Sequence, residues 1–168
     1  MHRVKIHQGD ITKLKVDVIV NAANYSLAIG NGVSGAIRRV AGDEFEHACL
    51  AIGHCPVGEI RVTPGFRLAA NMVIHTVGPA WRGGEHREEE LLASCYHKAM
   101  NEAKKHQIKS IAFPAISCGG SGYPTRRAVK VAIEEVNMAL RKNPLLESVV
   151  FCCFDPVTTA LYRNQIGK

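Results

Sequence analysis

The sequence predicts an α/β protein, a three-layer α/β/α sandwich built around a central mixed, mostly parallel sheet. Three observations predict it. Segments with strand character alternate with segments of helical spacing along the chain. Several strand segments are continuous apolar runs, which are typical of strands covered on both faces. A strand, a glycine-rich turn and a helix follow one another twice, and this is how parallel strands are connected.

The first half of the chain predicts four strands and two helices. Its first strand alternates polar and apolar residues, whereas the second is continuously apolar and is therefore expected to be central. Both helices end at a glycine, and the second has acidic residues in its first turn. In chain order, these segments are strands 3–8 and 16–23, helices 32–42 and 43–53, and strands 59–66 and 71–79.

The second half predicts two more strands and three helices. The longest helix has acidic residues early and lysines late, which suits the helix dipole. A buried strand then leads into the glycine run "CGGSG" and another helix. In chain order, these segments are helix 85–105, strand 109–117, helix 125–141, strand 146–154 and a final helix.

Composition limits the class of protein. The chain has 168 residues, of which 46% are hydrophobic, and no long linker or repeat divides it, so we expect one domain over residues 1–168. No apolar run reaches the length of about 18 residues that a membrane span needs. The first residues do not resemble a signal peptide, and the six cysteines form no C-x-x-C pair. We therefore expect a cytoplasmic protein with reduced thiols and no membrane partner.

The net charge of +6 favours an anionic partner. The Lys and Arg residues are dispersed, however, and aromatic residues make up only 6% of the chain. Proteins dedicated to nucleic acids usually cluster basic residues and interleave aromatic ones. The composition thus argues against nucleic acid and leaves nucleotides and acidic protein surfaces as anionic partners.

Two glycine-rich loops carry the strongest chemical signal. They follow the strands at 16–23 and 109–117, and each leads into a helix. Ligands of α/β sheets bind beyond the carboxyl ends of the strands, so both loops should face one crevice. Glycine lets backbone N–H groups approach a ligand, and a helix N-terminus attracts anions. Neither loop has the spacing of a dinucleotide fingerprint or of a P-loop. The pair predicts a pyrophosphate site of another kind.

Five segments together resemble the macrodomain family, a module that binds ADP-ribose. They are "GDITKLKVDVIVNAAN", "GVSGAI", "VIHTVGP", "SIAFPAISCGGSGYP" and "FCCFD", and they span essentially the whole chain. The resemblance implies the macrodomain-like sandwich. It also implies ADP-ribose or ADP-ribosylated proteins as partners, with no cofactor and no metal ion.

The resemblance further implies roles for individual residues. Asp10 would accept a hydrogen bond from the adenine amine, Ile11 would line the adenine pocket, and Phe154 would pack against the ring. Asn24 would contact the distal ribose and orient a water. The other residues matched to the ligand are Ala23, Gly30, Gly32, Val33, Ser117, Cys118, Gly119, Gly120, Ser121 and Gly122. Three of the matched residues have a structural alternative: Asp10 could cap a turn, Asn24 could be a turn residue and Phe154 could belong to the core. Asn21 is expected to be structural.

The chain departs from the family at both loops. Ser34 stands where hydrolytic members commonly have an aspartate, and a serine hydroxyl is a poor base at neutral pH. Some relatives without the aspartate use the ligand's own phosphate to activate water, so Asn24 and Ser34 remain candidate catalytic residues. Gly120 and Ser121 replace a valine and an aromatic residue, which predicts a more open cover.

The favoured function is hydrolysis of ADP-ribosyl derivatives, namely O-acetyl-ADP-ribose or ADP-ribosylated protein esters. The alternative is a reader module that binds ADP-ribose and cleaves nothing. Two further chemistries are disfavoured. The segment "HACLAIGHC" lacks zinc-site spacing. Cys118 lies before a helix, where a thiol pKa can fall, but a nucleophile there would also need a histidine such as His75 brought beside it.

Overall fold

The computed structural model of this protein describes residues 3–166. Its six strands form one sheet in the order β1-β6-β5-β2-β4-β3. Neighbouring strands are parallel except β3, which pairs with β4 in antiparallel fashion at the edge. The mixed, mostly parallel sheet is therefore confirmed. The strands are β1 (Val4–Gln8), β2 (Val18–Ala22), β3 (Ile60–Pro64), β4 (Met72–Thr76), β5 (Ser110–Phe113) and β6 (Ser148–Cys153).

Helices cover both faces of the sheet, as the predicted sandwich requires. They are α1 (Val33–Ala41), α2 (Asp43–Ile52), α3 (Glu88–Lys105), α4 (Thr125–Arg141) and α5 (Pro156–Ile166). Alternate side chains of the central strands enter two separate cores: Val18 and Val20 pack with α3 and α4, whereas Ile19 packs with α1 and α2. Over residues 3–166, no helix combines the length and apolar character of a membrane span.

Three local differences from the predicted elements matter for the site. Helix α3 begins at Glu88 and not at residue 85, because Arg87 adopts a left-handed conformation with φ of 62°. Strand β5 ends at Phe113, because Pro114 has no N–H for the sheet. A short 3₁₀ helix, Ile11–Lys13, follows β1 and was not predicted. The segment that follows β5 lines a cavity at the carboxyl ends of the strands.

Candidate functional site

A cavity of about 310 Å³ lies at the carboxyl ends of β2, β5 and β6. Both glycine-rich loops face it, as the order of strands and loops predicts. Nine of the residues expected to contact a ligand line it: Ala23, Gly32, Val33, Ser117, Cys118, Gly119, Gly120, Ser121 and Phe154. Asp10, Ile11, Asn24, Gly30, Ser34 and Gly122 do not line this cavity.

The first loop, residues 30–35, is braced by its own helix. The Gly30 N–H donates to Ser34 Oγ at 2.9 Å, and Ser34 is only 8% exposed. Gly35 packs so closely on the Gly30 carbonyl that a side chain there would collide with it. Within residues 3–166, the backbone N–H groups of Asn31, Gly32 and Val33 donate no hydrogen bond. Ser34 therefore shapes the loop, and the helix N-terminus offers the amides that an anion needs.

The second loop, residues 117–122, is held from behind and open in front. Ser117 has φ of 66°, and its hydroxyl donates to the Pro79 carbonyl at 2.8 Å. A side chain added at Gly119 or Gly120 would meet nothing within 4 Å. The amides of residues 119–121 donate to no acceptor in the part of the chain that the structure describes. These three successive N–H groups form a second candidate cradle for an anion.

Gly78, which follows β4, makes this arrangement possible. A Cβ at this position would lie 2.5 Å from Ile116 Cγ2 and collide with Ser117 Oγ. Ile116 is 1% exposed and Ser117 is fixed by its bond to Pro79, so neither can move aside. We expect Gly78→Ala to lower the free energy of unfolding by about 2 kcal/mol through overpacking, measured by urea denaturation.

Gly119→Ala is the matched control for that measurement, because its added methyl group has free space. We expect this variant to unfold within about 0.5 kcal/mol of the natural protein. Equal stability of the two variants would show that the contact at Gly78 relaxes without cost.

Asn24, on the loop after Ala23, uses most of its hydrogen-bonding capacity within the protein. Its Oδ1 accepts from Ser26 Oγ and the Ala28 N–H, both at 3.0 Å. Its Nδ2 donates to the Ala28 carbonyl at 3.1 Å. An amide has one further N–H to offer, and both oxygen lone pairs are taken. The Asn24 side chain can therefore donate one hydrogen bond to a ligand or a water, but its oxygen cannot accept another.

Asp10 and Phe154 follow the neighbouring strands β1 and β6, and of the two only Phe154 lines the cavity. Asp10 Oδ1 accepts from the Thr12 hydroxyl at 2.7 Å and the Thr12 N–H at 2.9 Å, and these bonds hold the pKa of Asp10 below its usual value. Asp10 thus caps the 3₁₀ helix, and only its Oδ1 makes those bonds, so its other oxygen can accept from a ligand. Phe154 is 55% exposed, so its ring is available to pack against a flat group.

Other residues expected at the site have different surroundings. Ile11 is 2% exposed and lies in the core beneath α1. Gly122 turns the second loop with φ of 73°. Asn21 is buried and its amide donates to His75 Nδ1 at 3.1 Å, so it is structural, although its partner is a side chain and not the backbone. Direct contacts of Ile11 and Gly122 with a ligand stay predictions.

Sequence reasoning missed several residues that line the cavity. Gly78, Pro114 and the pair Asp155 and Thr158 are among them. Asp155 immediately precedes α5 and caps it, because its carboxylate accepts the Thr158 N–H at 2.7 Å. The spacing of aspartate and threonine in "DPVT" is a recognisable helix start. That signal places a helix N-terminus after Phe154, and the strand order brings it to the cavity.

The geometry argues against a nucleophilic Cys118. Burial raises the pKa of this thiol to about 12, and nearby Cys153 and Asp155 add to the effect. His75 packs against Phe45 in the core beneath α2, whereas Cys118 packs against the core on the other face of the sheet. The two cannot form a dyad. Among residues 3–166, no group of three or more His, Cys, Asp or Glu side chains is placed to hold a metal ion.

Comparison with known proteins agrees with this architecture. The family model described as Macro domain matches residues 20–132. A macro domain-containing protein of Mesorhizobium japonicum is 49% identical over 99% of this chain and 95% of its own length. A protein of Salmonella typhimurium named O-acetyl-ADP-ribose deacetylase is also 49% identical, over 99% and 95% of the two chains. The solved Trypanosoma brucei macrodomain in complex with ADP-ribose is 35% identical, with a TM-score of 0.91 over 98% of this chain and 69% of that one. This chain belongs to the macro domain family.

Proposed function

We propose that this protein binds ADP-ribose through the cavity between its two glycine-rich loops and hydrolyses ADP-ribosyl derivatives there. The observation that carries the proposal is the pair of amide cradles, residues 31–33 and 119–121, on one cavity. A diphosphate is the anion whose two phosphates could occupy two such cradles. Relatives named for O-acetyl-ADP-ribose deacetylation or solved with ADP-ribose support the choice.

Residues beside the cavity suit the two ends of such a ligand. Asp10 is a carboxylate at neutral pH and can accept the N–H of an exocyclic amine. Phe154 offers an exposed ring for adenine at the same end. On the loop after Ala23, which lines the cavity, the remaining N–H of Asn24 can donate to a ribose hydroxyl or to a water.

In the proposed reaction, a water held by the Asn24 N–H attacks the carbonyl carbon of the ester. The bond between that carbon and the ribose oxygen breaks, giving a carboxylic acid and free ADP-ribose. A neutral amide is too weak a base to take the proton of the water, and Asn24 Oδ1 is in any case occupied. A phosphate oxygen of the substrate is the proposed acceptor, and the proton then passes to the ribose oxygen that leaves. Protein esters and O-acetyl-ADP-ribose share this ester chemistry.

A reader that binds ADP-ribose without cleaving anything is the second candidate. It is favoured by Ser34, because no carboxylate stands at that position and the hydroxyl is occupied with Gly30. Both candidates share the ligand and differ only in turnover.

Calorimetry tests the binding part of the proposal. We expect ADP-ribose to bind at least about tenfold more tightly than AMP, because only ADP-ribose reaches both amide cradles and Asn24. ADP should lie between the two. Equal affinities for the three ligands would contradict the proposed site. Oligonucleotide binding that weakens steeply with salt and that ADP-ribose does not displace would instead indicate a nucleic-acid-binding protein.

Replacing Ser34 with aspartate tests the catalytic part. If the substrate's phosphate activates the water, Ser34→Asp should change the turnover of an ADP-ribosyl ester by less than about tenfold. If the natural protein is a reader that lacks only its base, the same substitution should raise turnover by about 10²–10⁴-fold at unchanged affinity. Ester hydrolysis followed by release of free ADP-ribose measures both. Ser34→Ala is the control, because it removes the hydrogen bond to Gly30 without adding a carboxylate. A change in turnover that Ser34→Asp shows and Ser34→Ala does not is therefore due to the added base.

A further inference from the structure

The segment between β4 and α3, residues 78–88, forms the back of the second glycine-rich loop. The Pro79 carbonyl accepts from Ser117 Oγ at 2.8 Å, at the start of the loop. The Trp81 N–H donates to the Ser121 carbonyl at 2.8 Å, near its end. Two hydrogen bonds from this segment therefore bracket residues 117–121. The position of the amide cradle depends on the conformation of residues 78–88.

A single buried carboxylate fixes that conformation. Glu88 is 1% exposed, and its oxygens accept from the N–H groups of Arg82 and Gly84 at 2.9 Å and of His86 at 2.5 Å. Burial alone would raise the pKa of Glu88, but the three backbone hydrogen bonds outweigh it and hold the pKa at about 2. The carboxylate is thus charged throughout the physiological range, when its bonds to N–H groups are strongest.

The backbone of this segment is shaped around the carboxylate. Gly83, Gly84 and Arg87 all have positive φ, of 96°, 90° and 62°, and these turns direct three alternate N–H groups towards one point. Gly84 also lies against Trp81, since a Cβ there would sit 2.9 Å from the indole Cη2. The backbone that surrounds the Glu88 carboxylate is therefore in direct contact with Trp81, whose N–H bonds the Ser121 carbonyl.

Trp81 is in turn fixed to the helix that follows the loop. Its ring packs on Tyr123 with centroids 4.8 Å apart, and the Arg127 guanidinium lies 4.9 Å from the indole centroid. The loop is consequently clamped between α4 and the segment that Glu88 organises.

We infer that Glu88 is a positioning residue for the ligand, which sets the second amide cradle through Trp81 without touching the ligand itself. The inference rests on the proposed function, since the cradle is assigned to the diphosphate. It deepens that function by naming a residue outside the cavity that controls it.

The test uses Glu88→Gln, with Glu90→Gln as its matched control. Glutamine keeps the shape of Glu88 but places an amide N–H₂ against at least one backbone N–H donor. Glu90 lies in the same helical turn and, among residues 3–166, pairs only with exposed Arg87, so its variant removes the same charge. We expect Glu88→Gln to weaken ADP-ribose binding by about tenfold and AMP binding by less than about twofold. Glu90→Gln should change neither, and Glu88→Asp, which keeps the charge, should restore part of the loss.

Unchanged ADP-ribose affinity in Glu88→Gln would overturn the inference. So would an equal loss of AMP affinity, because a general structural defect would weaken both ends of the site. If Glu88→Gln does not fold, Gly84→Ala disturbs the contact with Trp81 while leaving the carboxylate, and the same split between the two ligands is expected.

Hydrogen exchange without ligand separates this inference from the proposed function. We expect the backbone amides of residues 117–122 to exchange faster in Glu88→Gln than in Glu90→Gln. Failure of the natural protein to bind ADP-ribose would contradict the proposed function but leave this result standing. Identical exchange in the two variants would overturn the inference whatever the ligand.

Discussion

Asn24→Asp is expected to reduce the turnover of an ADP-ribosyl ester by about 10²-fold, the usual scale for misplacing a reacting group. Aspartate keeps an oxygen to accept from Ser26 and from the Ala28 N–H. It loses the N–H that bonds the Ala28 carbonyl and the second N–H that would hold the water. A negative charge beside the substrate's phosphate opposes the reaction further. Steady-state hydrolysis of the ester gives kcat and KM, and calorimetry with ADP-ribose gives the affinity.

The pattern of losses distinguishes catalysis from loop structure. The affinity for ADP-ribose should fall by about tenfold or less, because the cradles and the adenine end are untouched. Ser26→Ala is the control, since it removes one bond to Asn24 Oδ1 and leaves the amide N–H groups in place. A turnover in Asn24→Asp close to that of Ser26→Ala would show that Asn24 only closes its own loop.

The regular elements could be predicted because local pattern determines them. Helix α4 begins at Thr125 and ends at Arg141, the range predicted for the helix after the glycine run. The beginning of α3 could not be predicted in the same way. Glu85, at the start of the predicted helix, suits a helical first turn. Only the burial of the Glu88 carboxylate shows why residues 82–86 fold around it instead of continuing the helix. That burial is a tertiary contact with no local signature.

In the candidate site, too, local pattern predicts some features and tertiary contacts determine the others. The glycine-rich loops were recognisable because glycine marks a close approach of backbone, and their cavity was expected from the strand ends. Asp155 and Thr158 reach the cavity because β6 lies beside β5 in the sheet. Strand order is not written in a local pattern. The role of Ser34 also needed the structure, because its bond to Gly30 connects two residues whose side-chain directions the sequence leaves open.

A polar network inside the core predicts a specific response of the protein to acid. His75 is completely buried, with Nδ1 at 3.1 Å from Asn21 Nδ2 and Nε2 at 2.9 Å from Thr63 Oγ1. Its ring stacks on Phe45 at a centroid distance of 5.5 Å. In the neutral ring, Nδ1 accepts from Asn21 and Nε2–H donates to Thr63. Protonation would place an N–H on Nδ1 against the amide donor of Asn21, in a fully buried site.

Acidification from pH 6.5 to pH 4 is therefore expected to remove about 3 kcal/mol from the free energy of unfolding through His75 alone. Burial lowers the pKa of His75 from 6.5 to about 4 in the folded protein. Below pH 6.5 the unfolded chain binds a proton that the folded protein does not, so stability is full above pH 6.5 and falls until about pH 4. Urea unfolding at several pH values measures the slope. Carboxylates contribute in the same range, so the comparison is with His75→Gln, which can still donate and accept but does not titrate. That variant should be less stable at pH 7 and should lose less free energy of unfolding on acidification. Parallel pH profiles for the two proteins would show that protonation of His75 costs nothing in the folded state.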